Sequence, residues 1–325
     1  MKTIKLIFKL FLLAFDILAY KLFKKKNTKK SYSLLIELFC LTGGHSNTLI
    51  NNLLKKKNNL TFDISGNKDE VEKLNNNGYI FKEKFFDKNI IDNINNKILT
   101  LNGKYDGDLI NSSISEQLNI SKPKATIFRY EQNDLINLPE IQNILTNKYI
   151  LSIAEGYFKS LPIIDTFSAW WSFKVKNDDA DHKAAQSWHF DMDRAKWLKI
   201  FIHLEDVKED NGPHSFVSGT HKNHGINKII LKQGYKRIED EIVNRLYSKN
   251  KIVRFLGNKG SMLIEDTRGI HKGEPIRNGS RLLLQLQYSA AIFGSNINKI
   301  KLPSEKTNQF SNLQKLNPQI FENFY

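Results

Sequence analysis

Residues 186–191 read QSWHFD, and our expectation of the fold begins from this short stretch. Side chains two apart on a β-strand point to the same face, so His189 and Asp191 can reach one metal ion. The sequence has a single cysteine, Cys40, which excludes an intramolecular disulfide and a cysteine-held metal cluster. Any bound metal must therefore use histidine and carboxylate ligands.

A third candidate ligand and an anion-binding arginine follow later in the chain. His271 comes just after the predicted strand 260–265. It can complete a face of two histidines and one carboxylate, the ligand set of iron(II) oxygenases, which leaves positions open for a chelating cosubstrate and O2. Arg281 begins the next predicted strand, and its guanidinium fork matches a carboxylate. The turn-forming residues between them predict a hairpin that places His271 beside Arg281.

Two other residues compete for these roles. Asp193 is an alternative ligand to Asp191, but its spacing from His189 fits one strand face less well. His203 shares a predicted strand face with Lys199, and we expect it to lie in the core or to line the barrel. The favoured metal ligands remain His189, Asp191 and His271.

The other histidines and a tryptophan pair receive less specific predictions. We expect His214 and His221 to be loop or packing residues, with substrate contact as the alternative. Trp170 and Trp171 are expected to pack in the core, with pocket lining as the alternative. Exposed side chains are predicted for three histidines that have no partner at ligand spacing: His45, His182 and His224.

Helical patterns come first in the chain and strand patterns later. Helices are predicted at 31–42, 47–57, 69–74, 87–99 and 139–159. Short strands are predicted at 79–81, 165–176, 197–204, 213–217, 252–256, 260–265 and 281–289. Asn75–Asn77 and Gly78 are expected to break the helix before them, and Ile90 is expected to share a buried face with Ile91. The order predicts an α+β fold whose strands close into a barrel or sandwich.

Three segments are expected along the chain. Residues 1–65 form an N-terminal helical extension, residues 66–293 form the main domain, and residues 294–325 form an irregular C-terminal tail over the surface. No internal repeat at a fixed period is present.

The stretch 4–23, IKLIFKLFLLAFDILAYKLF, has several interpretations. Charges interrupt it too often for a membrane span, and lysines stand where a signal peptide needs small residues. Lys2, Lys5, Lys9 and Asp16 fall on one stripe of an otherwise apolar helix. This pattern fits a helix lying in a membrane interface through residues 1–30, near anionic headgroups. A helix packed on the protein body and a dimer contact remain alternatives.

The formal net charge of +15 has two explanations. Attraction to an anionic partner, whether nucleic acid, lipid headgroup or acidic substrate, is one. A general abundance of lysine, asparagine and isoleucine is the other, and we favour it because the lysines are scattered. A nucleic-acid partner is not expected, since no basic stripe is interleaved with aromatic residues.

Four separated blocks of sequence resemble the phytanoyl-CoA dioxygenase family. They are LNNNGYI at 74–80, QSWHFD at 186–191, the turn and GTH element within 205–222, and residues 260–288 with the distal histidine and arginine. The resemblance covers roughly residues 66–293. It implies a double-stranded β-helix (jelly-roll, cupin-like) core, an Fe(II) ion and the cosubstrate 2-oxoglutarate.

The resemblance also assigns roles by position. His189, Asp191 and His271 would be the catalytic iron ligands and Arg281 the 2-oxoglutarate anchor. Phe201 falls where some members place an aromatic ring beside the cosubstrate. Some members have a serine two residues after the distal histidine, where this chain has Gly273. Thr267 or a tyrosine is the alternative source of the hydroxyl that this serine provides for the cosubstrate carboxylate.

The resemblance implies an oxidoreductase that hydroxylates a C–H bond of a small-molecule, lipid or lipid-linked substrate, releasing succinate and CO2. Halogenating relatives lack the metal-bound aspartate, and Asp191 is present, so hydroxylation is favoured. Gln186 is a further candidate beside the cosubstrate. The alternative is a non-catalytic β-helix protein that binds a ligand at a membrane surface. A cytoplasmic location, with peripheral membrane contact as an option, is expected; the oligomeric state is open.

Overall fold

The structure, a computed structural model, describes residues 2–24, 27–55, 61–107, 113–174 and 185–325, with only the backbone for 2–7. The helices are α1 Lys2–Phe23, α2 Lys29–Thr42, α3 His45–Leu54, α4 Lys68–Asn77, α5 Lys88–Ile98, α6 Gln132–Leu135, α7 Pro139–Leu145, α8 Lys148–Phe158, α9 Lys228–Lys232, α10 Asp240–Leu246 and α11 Asn308–Leu316. The strands are β1 Tyr79–Lys82, β2 Asn102–Asp106, β3 Glu116–Gln117, β4 Ile127–Tyr130, β5 Ile163–Phe173, β6 Trp197–His203, β7 His214–Val217, β8 Ile252–Phe255, β9 Met262–Glu265, β10 His271–Gly273 and β11 Ser280–Ser289.

Two antiparallel sheets build the core of the fold. The larger sheet has the strand order β1-β9-β6-β11-β5-β4-β2-β3, and the smaller has the order β10-β7-β8. Phe201 and Leu283 of the larger sheet pack with Phe216 and Phe255 of the smaller one in a single apolar cluster. The two sheets therefore face each other, as in a double-stranded β-helix, and the expected α+β class is confirmed.

Strand register places the predicted functional residues with little ambiguity. Strand β11 pairs with β5 on one side and with β6 on the other, so Gln285 lies opposite Ser168 and Phe201. Alternate residues of a strand face opposite sides. Lys199, Phe201 and His203 of β6 therefore share one face. The predicted strands at 197–204, 213–217, 252–256, 260–265 and 281–289 all exist within one or two residues of their expected ends.

Several helix predictions need correction. Asn75–Asn77 continue α4, which ends only at Gly78 in the left-handed region with φ 90°. The predicted helix 139–159 is two helices, because Asn147 accepts backbone hydrogen bonds at the start of α8. Ile91 is fully buried, whereas Ile90 is exposed on the other side of α5. The predicted helix 47–57 begins earlier and ends at Leu54.

The C-terminal segment is regular, so the expectation of an irregular tail is wrong. It contains α11 and a 3-10 helix at Pro318–Phe321. Ile300, Phe310 and Phe324 are buried and belong to the main hydrophobic core. Asn323 donates a hydrogen bond from Nδ2 to the backbone oxygen of Asp165, at 2.6 Å. Apolar spacing within a lysine- and asparagine-rich stretch was too sparse to reveal this packing.

Helices α1 to α3 rest on one end of the sheet core. Leu13 and Tyr20 of α1 and Leu34 of α2 pack with Ala291 and Phe293, which follow β11. The Tyr20 hydroxyl accepts a hydrogen bond from the backbone N–H of Ile292, at 3.0 Å. Among the described residues, no helix has the length and apolar character that crossing a bilayer requires.

Candidate metal and cosubstrate site

A short backbone ladder joins the two segments that carry the candidate ligands. The N–H of His189 donates to the carbonyl of His271 at 2.9 Å, and the N–H of His271 donates back to His189 at 2.8 Å. The N–H of Asp191 donates to the carbonyl of Thr267 at 2.8 Å. These bonds fix His189 and His271 as direct neighbours although they lie far apart in sequence.

The ladder brings the three predicted ligands together. The ligand atoms of His189, Asp191 and His271 all lie within 4.8 Å of one another. Nε2 of His189 lies 3.7 Å from Oδ1 of Asp191, and Nε2 of His271 lies 3.5 Å from its Oδ2. All three side chains are largely buried. Two imidazoles and one carboxylate on one face form a donor set that fits iron(II).

The outer ring nitrogens orient both histidines. Nδ1 of His189 lies 2.8 Å from the carbonyl of Ser187, and Nδ1 of His271 lies 2.9 Å from the carbonyl of Gly269. A carbonyl oxygen only accepts, so each Nδ1 must carry the proton. The Nε2 lone pairs are then free for a metal ion, as in other histidine metal sites.

Charge in the site favours the protonation state that binds metal. Burial lowers the pKa of His189, and the neighbouring His271 lowers it further, so the imidazole stays neutral. Burial also lowers the pKa of His271. Burial alone raises the pKa of Asp191, but Lys199 and the two imidazoles outweigh it and hold the pKa below its usual range. Neutral imidazoles and an ionised carboxylate are the forms that coordinate a metal.

A buried lysine contacts the candidate carboxylate ligand. Nζ of Lys199 donates to Oδ2 of Asp191 at 2.6 Å and lies 3.1 Å from Oδ2 of Asp193. Burial lowers the pKa of Lys199, yet the two carboxylates outweigh it and raise the pKa above its ordinary value. Asp193 therefore faces the lysine and stands outside the triad, so its alternative role as a ligand gains no support.

The triad lies in the wall of a cavity of about 580 Å³ that also contains Arg281. Burial lowers the pKa of Arg281 to about 10. Its Nε and Nη1 atoms are buried, and within the described part of the chain neither has a hydrogen-bond partner. Its Nη2 makes a long contact of 3.4 Å with Oγ of Ser172. A buried guanidinium with open donors fits a carboxylate ligand, because an unpaired buried charge is costly.

The cavity wall around Arg281 includes two residues that the sequence singled out and one that it undervalued. Phe201 lines the cavity, as expected. Gly273 also lines it, opposite His214 in the pairing of β10 with β7. The His214 ring packs 4.8 Å from the Phe201 ring, and its Nε2 lies 3.0 Å from the buried Glu265. Burial and then Arg281 lower the pKa of His214 to about 3, so it is neutral.

Other candidates lie away from the described cavity wall. Gln186 is buried beside the triad segment but does not reach that wall, so its cosubstrate role stays a prediction. The Thr267 hydroxyl accepts a hydrogen bond from Nε1 of Trp197 at 2.9 Å and does not replace the missing serine. Trp171 packs in the core as expected, whereas Trp170 lines the cavity.

The remaining histidines divide into packing residues and one unexpected pair. His203 is buried against Phe81, and Nε2 of His221 lies 3.1 Å from the carbonyl of Asn75. His45 and His224 are exposed, but they are not isolated, because their Nε2 atoms lie 2.9 Å apart. Their separation in sequence concealed this contact. His182 lies outside the described residues.

Sequence reasoning missed Lys199 and gave His214 a place at the site only as the alternative to packing. The signal for Lys199 was its alternation with Phe201 on one strand, which places a charged side chain on an inward face. The signal for His214 was weaker, because its position in the cavity wall depends on the pairing of β7 with β10, which places it opposite Gly273. Neither residue stands at recognisable ligand spacing from His189.

Comparison with known proteins agrees with the fold. HygX from Streptomyces hygroscopicus, solved with nickel and 2-oxoglutarate bound, aligns over 74% of this chain and 93% of its own, with 11% identity and a TM-score of 0.50. EctD from S. alaskensis, solved with 2-oxoglutarate and 5-hydroxyectoine, aligns over 79% and 89%, with 14% identity and a TM-score of 0.49. No curated protein matches the sequence significantly. The sequence model of the family described as Phytanoyl-CoA dioxygenase (PhyH) matches residues 74–282, and the chain belongs to this family.

Proposed function

We propose that this protein is an iron(II)- and 2-oxoglutarate-dependent dioxygenase that hydroxylates a C–H bond of a small molecule. One observation carries the proposal: the buried, unpaired guanidinium of Arg281 shares a cavity with a complete triad of two histidines and a carboxylate. The triad supplies a metal site, and the arginine supplies a partner for the far carboxylate of a dicarboxylate.

Iron(II) with 2-oxoglutarate supplies O2 activation, so that 2-oxoglutarate, O2 and a substrate R–H become succinate, CO2 and R–OH. The protein's own residues would hold and orient the metal ion and the cosubstrate. His189 and His271 present Nε2 because their Nδ1 protons are held by carbonyls. Lys199 holds one oxygen of Asp191, which limits rotation of that carboxylate. Arg281 fixes the cosubstrate's far end through its open donors.

His214 and Gly273 are proposed to shape the cosubstrate end of the cavity. In relatives with a serine at the Gly273 position, a hydroxyl contributes to carboxylate binding. Here Gly273 adds no polar group, while the neutral His214 lies directly across the strand pair from it. We infer that His214 and Phe201 close this end of the cavity around the cosubstrate.

The cavity limits the size of the substrate. Its volume of about 580 Å³ lies within the usual range for small-molecule sites. Tyr235, Lys236 and Arg237 line another part of the wall, together with Trp170. An aromatic and cationic wall suits a small molecule that carries both apolar and anionic groups.

The alternative of a non-catalytic ligand-binding protein predicts a degenerate metal site. The complete triad and Arg281 argue against it. Hydroxylation is preferred to halogenation, because Asp191 fills the coordination position that a halide would need.

Calorimetric titration of 2-oxoglutarate tests the proposal directly. Under anaerobic conditions, 2-oxoglutarate should bind the iron(II)-loaded protein much more tightly than the metal-free protein, because the keto acid end needs the metal. Equal binding with and without iron would contradict the proposal. Once a substrate is identified, isotopically labelled O2 should place an oxygen atom in the product, and a product without the label would exclude hydroxylation.

A further inference from the structure

The outward face of α1 is apolar, which is the reverse of an ordinary surface helix. At about 100° per residue, five exposed side chains fall within an arc of roughly 80°. They are Phe8, Phe11, Phe15, Leu18 and Leu22. Phe11 is 72% exposed and Phe15 is 64% exposed. Helices on a protein surface normally bury their apolar stripe and expose their polar face. The exposed apolar stripe of α1 therefore indicates a binding surface.

Two polar side chains of α1, those of Lys9 and Asp16, instead contact the protein itself. Nζ of Lys9 lies 2.7 Å from Oε2 of Glu37 on α2. Oδ2 of Asp16 accepts hydrogen bonds from the backbone and the hydroxyl of Thr28, both at 2.9 Å, and from Ser31 at 2.5 Å. Asp16 thus supports the N-terminus of α2. These contacts fix the rotation of α1, so its apolar arc cannot turn inward without breaking them.

The charge around this face is predominantly positive. The first 36 residues contain nine lysines, and Asp16 is their single acidic residue. Lys21, Lys29 and Lys30 are exposed where α1 ends and α2 begins. Phe23, at the same end of the helix, is 78% exposed. Apolar side chains beside exposed lysines suit a partner whose outer layer is anionic and whose interior is apolar.

We propose that α1 docks this protein onto the surface of a bilayer that contains anionic lipids. The phenylalanines and leucines of the arc enter the acyl boundary, and the lysines contact the headgroups. The helix lies along the surface because Lys9 and Asp16 hold it against α2. A second copy of the chain is a poorer occupant, because pairing two such faces would bring the exposed Lys21, Lys29 and Lys30 of both copies close together.

Vesicle sedimentation of the full chain tests this proposal. Vesicles of phosphatidylcholine, with and without a minority of phosphatidylglycerol, are the probes. The protein should bind the anionic vesicles and should be released by salt, because salt screens the lysines. Replacing Phe11 and Phe15 together by Ser should lower the partition coefficient at least about tenfold. The matched control is Leu316→Ser, which removes an apolar side chain of α11 that is 76% exposed and should leave binding unchanged.

Charge is tested separately with Lys21→Gln, Lys29→Gln and Lys30→Gln. Each change should weaken binding to anionic vesicles by about fivefold and should not affect weak binding to neutral ones. Absence of wild-type binding to anionic vesicles overturns the proposal, as does full binding by the double serine variant. A lipid-free dimer that dissociates in the double serine variant also overturns it, in favour of a second copy. Iron(II) binding by each variant reports whether the oxygenase site is intact, so failure of docking is distinguishable from failure of the proposed function.

Discussion

Gly273 of β10 and Arg281 of β11 lie beside each other although their strands belong to different sheets, so the segment expected to form a hairpin between His271 and Arg281 is instead a connection between the two sheets. A Cβ atom built on Gly273 would lie 3.4 Å from Nη2 of Arg281, which is ordinary contact. The glycine is therefore not required by close packing against the arginine. Its effect is to leave out a polar group beside the guanidinium that we assign to the cosubstrate.

We expect Gly273→Ser to tighten the binding of 2-oxoglutarate. The added hydroxyl can donate to the carboxylate that Arg281 holds, and a hydrogen bond to a charged group contributes about 1.5–3 kcal/mol. The KM for 2-oxoglutarate should fall roughly tenfold relative to Gly273→Ala, the control that adds Cβ without the hydroxyl. Equal KM values for the serine and alanine variants would show that the cosubstrate carboxylate lies elsewhere.

Replacing Arg281 by Met should weaken cosubstrate binding selectively. The change removes the charged donors but keeps much of the apolar stem. We expect the KM for 2-oxoglutarate to rise more than about 100-fold, because a charge-assisted pair of hydrogen bonds is lost. Iron(II) affinity should be unchanged. Arg277→Met is the matched control, since Arg277 is exposed in the segment between β10 and β11. An unchanged KM in the Arg281 variant would move the anchor to another residue.

Removing either side chain of the HxD segment should abolish tight iron(II) binding. His189→Ala and Asp191→Ala each delete one ligand atom from the triad. Anaerobic equilibrium dialysis should show affinity lower by more than about 100-fold, beyond the loss typical of supporting residues. His45→Ala, which alters an exposed histidine away from the cavity, should bind iron normally. Normal iron content in either ligand variant would refute the assignment.

A buried ion pair near the site predicts a pH dependence of stability. Asp266 is fully buried and accepts hydrogen bonds from Tyr157 and Arg268, each 2.5 Å at its shortest. Burial raises the pKa of Asp266, but Arg268 and Tyr157 outweigh it and lower the pKa from 3.8 to about 2. A depressed folded-state pKa stabilises the fold above the unfolded value. This contribution is lost as the pH falls from about 4 to about 2.

Asp266→Asn should therefore cost about 3–5 kcal/mol at neutral pH, because it leaves a buried guanidinium unpaired. Urea unfolding at a series of pH values measures the difference from the wild type. The difference should shrink as the pH falls below about 4. A constant difference from neutral pH to acid would mean that the pair contributes little through ionisation.

The candidate site could be predicted from the sequence because two of its ligands, His189 and Asp191, stand at a short and recognisable spacing. The expected strand at the HxD segment is reduced to an isolated bridge between His189 and His271, but His189 and Asp191 still reach one site, and Arg281 stands at the start of β11 as predicted. Strand alternation places Lys199 on an inward face, but its contact with Asp191, like the position of His214 opposite Gly273, depends on how distant segments pack together. The break between α7 and α8 was missed because Asn147 acts through a cap, which competes with helix continuation. Ile90 was misplaced because it stands about 100° around α5 from Ile91, beyond the edge of the stripe that Ile91, Ile94 and Ile98 bury.

The most direct test of the central claim is an anaerobic visible spectrum of the full-length protein with iron(II) and 2-oxoglutarate. The account predicts the weak charge-transfer band of an iron(II)–2-oxoglutarate chelate in the wild type, and its loss in His271→Ala with the fold preserved by circular dichroism. A folded wild-type protein without the band, or a band that persists in His271→Ala, would contradict the assignment of His189, Asp191 and His271 as the iron site.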